Sequence, residues 1–160
     1  MAHIEDLLAE WLDWKGYLVK RNVKVGRLKH GGWEMELDVI GYHPITNDLV
    51  HYEPSLDSFN WKKRETRYQK KFSAGKKYIL SDVFKWLSKD TPIRQVAVLN
   101  WHARNRNKIV GGTIQSVDEV MAEIRKEVMN QGLMSKNAIP EQFPLLRTLQ
   151  LSHCGYYKLI

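Results

Sequence analysis

Residues 33–42, WEMELDVIGY, alternate Met35, Leu37 and Val39 with Glu36, Asp38 and Ile40. A period of two is the signature of a strand, because successive side chains leave opposite faces of the sheet. Gly31-Gly32 turns the chain into this segment, and Pro44 with the Thr46-Asn47-Asp48 cluster turns it out again. LVHYE follows as the next strand, and YLVKRNVKV precedes as another. The three together predict a meander, and the rest of the chain must be built around it.

Ahead of the meander, Ile4, Leu7, Leu8, Trp11 and Leu12 fall at helical spacing and form an apolar stripe. Gly16 is a natural stop for that helix. From Asn60 the pattern becomes a long polar helix carrying Trp61, Tyr68 and Phe72 among its cations. SDVFKWLSK predicts a further short helix, capped by Ser81 or Asp82. QVAVLN is β-branched and free of charge, as a buried strand is, with KIVGG as its expected neighbour. Ser116 and Glu119 form a capping box ahead of Val120, Met121, Ile124 and Val128, and Gly132 ends that helix. Pro140 and Pro144 bracket the start of a last helix around LLRTLQL. The order predicts one α/β domain over residues 1–160, a central mixed sheet flanked by helices.

Composition agrees with a folded chain: 160 residues, 43% hydrophobic and 27% charged. No apolar run approaches the length of a membrane span, so no membrane association is expected. The N-terminus is acidic and amphipathic rather than basic and apolar, unlike a secretory signal. A lone Cys154 excludes an internal disulfide and a thiolate zinc cage, and fits a reducing, cytoplasmic setting.

Charge says more. Lys and Arg outnumber Asp and Glu by 25 to 18, for a net +7, which favours a polyanionic partner. Eight Lys or Arg lie between Lys62 and Lys77 against one acid, Glu65. A second cluster, Arg104, Arg106 and Lys108, occupies the Asn-rich stretch NWHARNRNK. Two such stretches are placed to flank one groove.

Asp38 lies within an otherwise apolar strand, and Glu53 ends the next one. A carboxylate in such a place is costly to desolvate unless a cation compensates it. On paired strands the two would converge on one point, a good site for a hard cation such as Mg²⁺. The plainer alternative is a strand-end charge and an exposed turn residue.

These residues resemble the PD-(D/E)XK nuclease superfamily, which includes restriction enzymes and Holliday-junction resolvases. The resemblance runs over residues 4–100. IEDLLAEWLDWKGYLV is similar to the family's opening helix, with Glu5 eleven residues before Gly16-Tyr17 and Glu10 as a second match. Asp38 matches the strand aspartate, Glu53 the acid of the next strand, and residues 60–73 the basic helix that follows. The resemblance implies a restriction-endonuclease-like fold and a Mg²⁺-dependent endonuclease acting on DNA. Asp38, Glu53 and the Pro54 carbonyl would hold the metal, and Glu5 would position water or a second metal. Lys62, Lys63, Arg64, Arg67, Lys71, Arg104 and Arg106 would contact the nucleic acid. Because one site cuts one strand, a homodimer or higher homo-oligomer is expected.

One position departs from the pattern. The family places a lysine two residues after the second acid, where this chain has Ser55. Lys62, Lys63 or Lys70 could supply the charge from the neighbouring helix, as in some members. Lys70 is favoured, because Gln69-Lys70 falls where a helix can reach back over the sheet. A non-catalytic nucleic-acid-binding module on the same scaffold is the alternative. Among the six histidines only His51 shares the face of Glu53. Trp61 and Trp101, each beside cations, could stack on unpaired bases or pack in the core. Ser55 and Ser58 lack a neighbouring base, and no glycine-rich phosphate loop is present.

Overall fold

The computed structural model describes residues 2–158. Helix α1 (Ala2–Trp14) leads into the meander of β1 (Leu18–Arg27), β2 (Trp33–His43) and β3 (Asp48–Ser55). Helix α2 (Trp61–Tyr78) then crosses to β4 (Ile93–Leu99). A tight hairpin of β5 (Lys108–Ile109) and β6 (Gly112–Ser116) precedes α3 (Val117–Met129), α4 (Met134–Asn137) and α5 (Pro144–Cys154). The six strands form one mixed sheet in the order β1-β2-β3-β4-β6-β5. The β1–β2, β2–β3 and β5–β6 pairs are antiparallel, and β3–β4 and β4–β6 are parallel.

Helices cover both faces. The apolar stripe of α1 packs with Val39, Val50, Tyr52, Val96 and Val98, and α3 and α5 complete that layer. The neighbouring residues Ile40, Leu49, Ala97 and Leu99 point the other way, toward α2. Alternation along each strand therefore sorts the core into two layers. No helix among the described residues is long and apolar enough to cross a membrane.

Three sequence expectations are corrected. SDVFKWLSK does not begin a new helix: α2 runs on through a π-helical turn, Ile79–Val83, closed by the Phe84 amide on the Ile79 carbonyl at 2.8 Å. Ser81 bonds back to the Lys77 carbonyl instead of capping, and Phe84 is buried against Tyr42. The neighbour of β4 is β6 rather than the KIVGG segment, because Val110 and Gly111, with φ of 50° and 82°, reverse the chain as a two-residue hairpin turn. Alternation also fails at Asp38. Val39 faces α1, whereas Leu37 joins Ile40 and Phe84 in the layer of α2. Here the β1–β2 ladder breaks, at Asn22 (φ 50°) opposite Asp38, and again at Gly26 (φ 68°) opposite Glu34. A Cβ on Gly26 would stand 2.7 Å from the Tyr78 ring, so the hairpin tip folds over the end of α2 only with glycine there.

Two further expectations hold. Ser116 and Glu119 make both hydrogen bonds of the capping box, and the long polar helix is entered from Asn60, the N-cap of α2, whose side chain accepts from the Lys63 amide.

Candidate functional site

The sheet forks at the C-terminal half of β3. Pairing of β2 with β3 ends at Val39↔Tyr52; beyond it β2 stays with β1, while β3 continues beside β4 from Glu53↔Ala97 to Ser55↔Leu99. Asp38 and Glu53 are the first residues past the last shared pair. The Asp38 amide, deprived of a ladder partner, donates to Glu53 Oε1 at 3.1 Å. A carboxylate thus replaces a main-chain acceptor at the fork.

Helix α2 closes this point from above. Tyr68, Lys71, Phe72 and Gly75 recur at spacings of three and four, so one face meets the sheet. Lys71 Nζ lies 2.8 Å from Asp38 Oδ1, 2.8 Å from Glu53 Oε2 and 2.6 Å from the Glu36 carbonyl. Tyr68 donates to the Glu53 carbonyl at 2.9 Å. His51, fully buried two residues before Glu53, brings Nε2 to 2.8 Å from Glu53 Oε1. Gln95 Nε2 lies 3.2 Å from His51 Nδ1 and donates to the Phe72 carbonyl at 2.9 Å. The Gln95 donor assigns Nδ1 as acceptor and leaves Nε2–H to serve Glu53. Gly75 is required above the imidazole, since a Cβ there would stand 2.5 Å from Nδ1.

Two acids now share one lysine in a place almost closed to water: Asp38 is 8% and Glu53 2% exposed. Burial, with the Glu53 charge adding to it, raises the Asp38 carboxyl to about 7 against the pull of Lys71. Burial acts upward on Glu53 as well, but His51 and Lys71 outweigh it and hold that carboxyl down at about 2. Burial works against the Lys71 charge, yet the two carboxylates raise its pKa. Pairs of acids driven apart in this way are a mark of reactive sites.

Of the residues singled out in the sequence, Asp38 and Glu53 come together, and Pro54 follows Glu53, buried on β3. The lysine that reaches them is Lys71, not Lys70, which is exposed one position earlier. Ser55 is buried, but its hydroxyl donates to the Asp57 carboxylate and accepts from Arg67 at 3.2 Å. Lys62 and Lys63 are exposed. Arg64 is not free to meet a partner: it is 8% exposed and donates to the Asp57 carbonyl, Asn100 Oδ1 and the Trp101 carbonyl. Glu5 lies in the first turn of α1, the helix on the other face of the sheet. Glu10 accepts from the Leu146 amide at 2.8 Å and so caps α5. Arg104 and Arg106 are exposed in the segment after β4, with the Arg106 guanidinium 4.2 Å above the Trp61 ring.

The site residues absent from the sequence candidates are Tyr68 and Gln95. The helical spacing of Tyr68 and Phe72 around Lys71 was the available signal, since it turns Lys71 inward and Lys70 out. Among the described residues no group of three or more His, Cys, Asp or Glu side chains is arranged to hold a metal ion. No protein-family model, curated protein or solved structure matches this chain.

Proposed function

We propose that this chain is a Mg²⁺-dependent endonuclease of restriction-endonuclease-like fold that hydrolyses phosphodiester bonds in DNA. The observation that carries the reading is the meeting of Asp38, Glu53 and Lys71 at the fork between β2 and β3. Two carboxylates face a single lysine ammonium, so with both ionised the cluster has room for further positive charge. The Lys71 ammonium pairs with both carboxylates, which supports a shared demand for positive charge at this point.

The oxygen donors suit a hard ion: Asp38, Glu53 and the Pro54 carbonyl would hold Mg²⁺, with water filling the remaining positions. Such an ion supplies an activated water and stabilises the charge that develops on phosphorus. Asp38 must release its proton to bind it, which its raised pKa permits near neutrality. Lys71 takes the part that Ser55 cannot, standing as the cation beside the carboxylates and the scissile phosphate. His51 and the Asp38 amide fix the Glu53 carboxylate in one orientation.

Beside this cluster a groove of about 390 Å³ is lined by Lys63, Arg67, Lys70 and Lys71 with Met35 and Phe59. A phosphate backbone lying there would gain affinity with little sequence information. Two copies of the chain would cut both strands of a duplex, and the mass in solution with DNA reports that association.

The test is incubation with plasmid, forked and single-stranded DNA, in Mg²⁺ or in chelator. Cleavage confined to Mg²⁺ and lost in Asp38→Asn is the expected result. DNA that stays intact in Mg²⁺ and Mn²⁺ while remaining bound would leave a binding module on this scaffold.

A further inference from the structure

A second cleft, of about 590 Å³, opens at the C-terminal ends of β3 and β4, between the first turn of α2 and the segment after β4. Ligands of open α/β sheets collect at this end of parallel strands. No Asp or Glu lines the cleft; Trp61, Arg64, Trp101, Asn105 and Arg106 do. Trp101 is 69% exposed at this cleft, which leaves its indole available for stacking.

That ring stands on a fixed support. Arg64, buried beneath, donates to the Trp101 carbonyl and to Asn100, and its Nε lies 3.7 Å from the Asp57 carboxylate. His102 lies 3.2 Å from Glu119 and ties the segment to the start of α3. Trp61 is held edge-on by Glu65 at 2.7 Å and covered by the Arg106 guanidinium. Lys63 lies over Phe59 at 3.5 Å nearby. An exposed Trp101 indole on a pinned backbone, beside cations that lie over the neighbouring Trp61 and Phe59 rings, suits a flat ring next to a phosphate. Pinning also lowers the ordering cost of binding.

Trp61 and Lys71 are ten residues apart on α2, about 15 Å along its axis. A strand whose phosphate meets Asp38 and Glu53 would reach the cleft within a few nucleotides. Resting on the nuclease reading above, we infer that the cleft takes an unpaired base of the strand being cut, so that the favoured substrate is a duplex with an unpaired end or branch. The base stacks on Trp101, and the Asn105 amide offers a donor and an acceptor to its edge.

Binding in chelator separates recognition from cleavage. The probes are a labelled fork with unpaired oligo-dT arms and a blunt duplex of the same length, with wild type, Trp101→Ala and Trp101→Phe. The expected result is tighter binding of the fork by wild type. Trp101→Ala should weaken fork binding about ten-fold or more, the range of one lost base stack. Blunt-duplex binding should hold, and Trp101→Phe should keep most of the preference. Unchanged melting of the variants shows that the fold survives the change. Equal loss on both probes, or none on the fork, would overturn the inference and leave the nuclease reading standing. If wild type binds neither probe, both readings fall.

Discussion

Strand β3 carries a carboxylate cluster at each end, and the two have opposite characters. At its start, Asp48 meets the Arg94 guanidinium through two bonds, of 3.2 and 2.6 Å, and accepts from the Tyr17 hydroxyl at 2.6 Å. One acid faces one cation at a partly open position, and the paired guanidinium holds the Asp48 carboxyl below its usual range despite some burial. At the far end, Asp38 and Glu53 share Lys71 nearly out of contact with water, and Asp38 is driven up to about 7. The first cluster is satisfied and has no unmet demand. The second is short of positive charge, and that shortage distinguishes a site from a strut.

The comparison breaks most sharply if the two aspartates behave alike. Asp38→Asn should reduce Mg²⁺-dependent cleavage by more than about 100-fold, beyond what loss of an outer partner of a metal site costs. The same change should preserve or strengthen DNA binding, because a negative charge leaves the neighbourhood of the phosphate. Asp48→Asn should leave the cleavage rate nearly unchanged. Equal loss of rate in both variants would return the far cluster to a structural role. Next in size is Lys71→Ala, expected to lower the rate on the order of 100-fold, as loss of one group serving the transition state does. Lys70→Ala should weaken binding slightly and flatten its salt dependence. A larger rate loss for Lys70 than for Lys71 would reverse the assignment made from the geometry.

A pH series in chelator sharpens the contrast without any substrate. Asp38 holds its proton more tightly folded than unfolded, so its stabilising contribution is full below its ordinary 3.8 and is lost as pH rises through about 7. Glu53 has the opposite sign: its contribution is present above its ordinary 4.5 and fades only as pH falls toward about 2. Between pH 5 and 8 the Glu53 contribution is constant and the Asp38 one falls. The metal-free protein should lose on the order of 2 kcal/mol over that interval, read as a fall in Tm of a few degrees. Asp38→Asn should remove most of that slope, and Mg²⁺ should reverse it in the wild type. A slope that survives the substitution would assign it to other groups.

Much of this arrangement is legible in the sequence because it depends on local rules. The alternation of WEMELDV, the turn at Thr46-Asn47-Asp48 and the charge-free QVAVLN place β2, β3 and β4, and two acids on neighbouring strands then have to approach each other. The capping box at Ser116 reads directly for the same reason. What depends on tertiary geometry reads less well. Whether Lys70 or Lys71 points inward turns on the helix phase, set by Tyr68 and Phe72 packing into the sheet. Arg64 looks like one more cation of a basic run, yet the loops before α2 and after β4 fold around it. The π-helical turn at Ile79–Val83 has no local signature, because burial of Phe84 against Tyr42 requires it. Leu37 leaves the face of Val39 only because β1 breaks opposite Asp38, at Asn22.

The smallest effect is expected at the satisfied cluster. Arg94 lies about half exposed against Asp48, so much of the Coulomb gain is screened, and pairs of this kind contribute about 0.2–1 kcal/mol. Two well-aligned bonds from one guanidinium place it toward the upper end of that range. Arg94→Ala should therefore cost about 1 kcal/mol in low salt, and less as ionic strength shortens the reach of the charges. Cleavage per folded molecule should not change. Asp48→Asn combined with Arg94→Ala should cost less than the sum of the two single changes, since each alone strands the other's partner. Additive costs would mean that the two side chains do not stabilise β3 and β4 through each other. A pH-dependent rate that moved with Arg94→Ala would mean that the two ends of the strand are electrostatically connected, contrary to the separation that four intervening residues and the buried core around Val50 and Tyr52 impose.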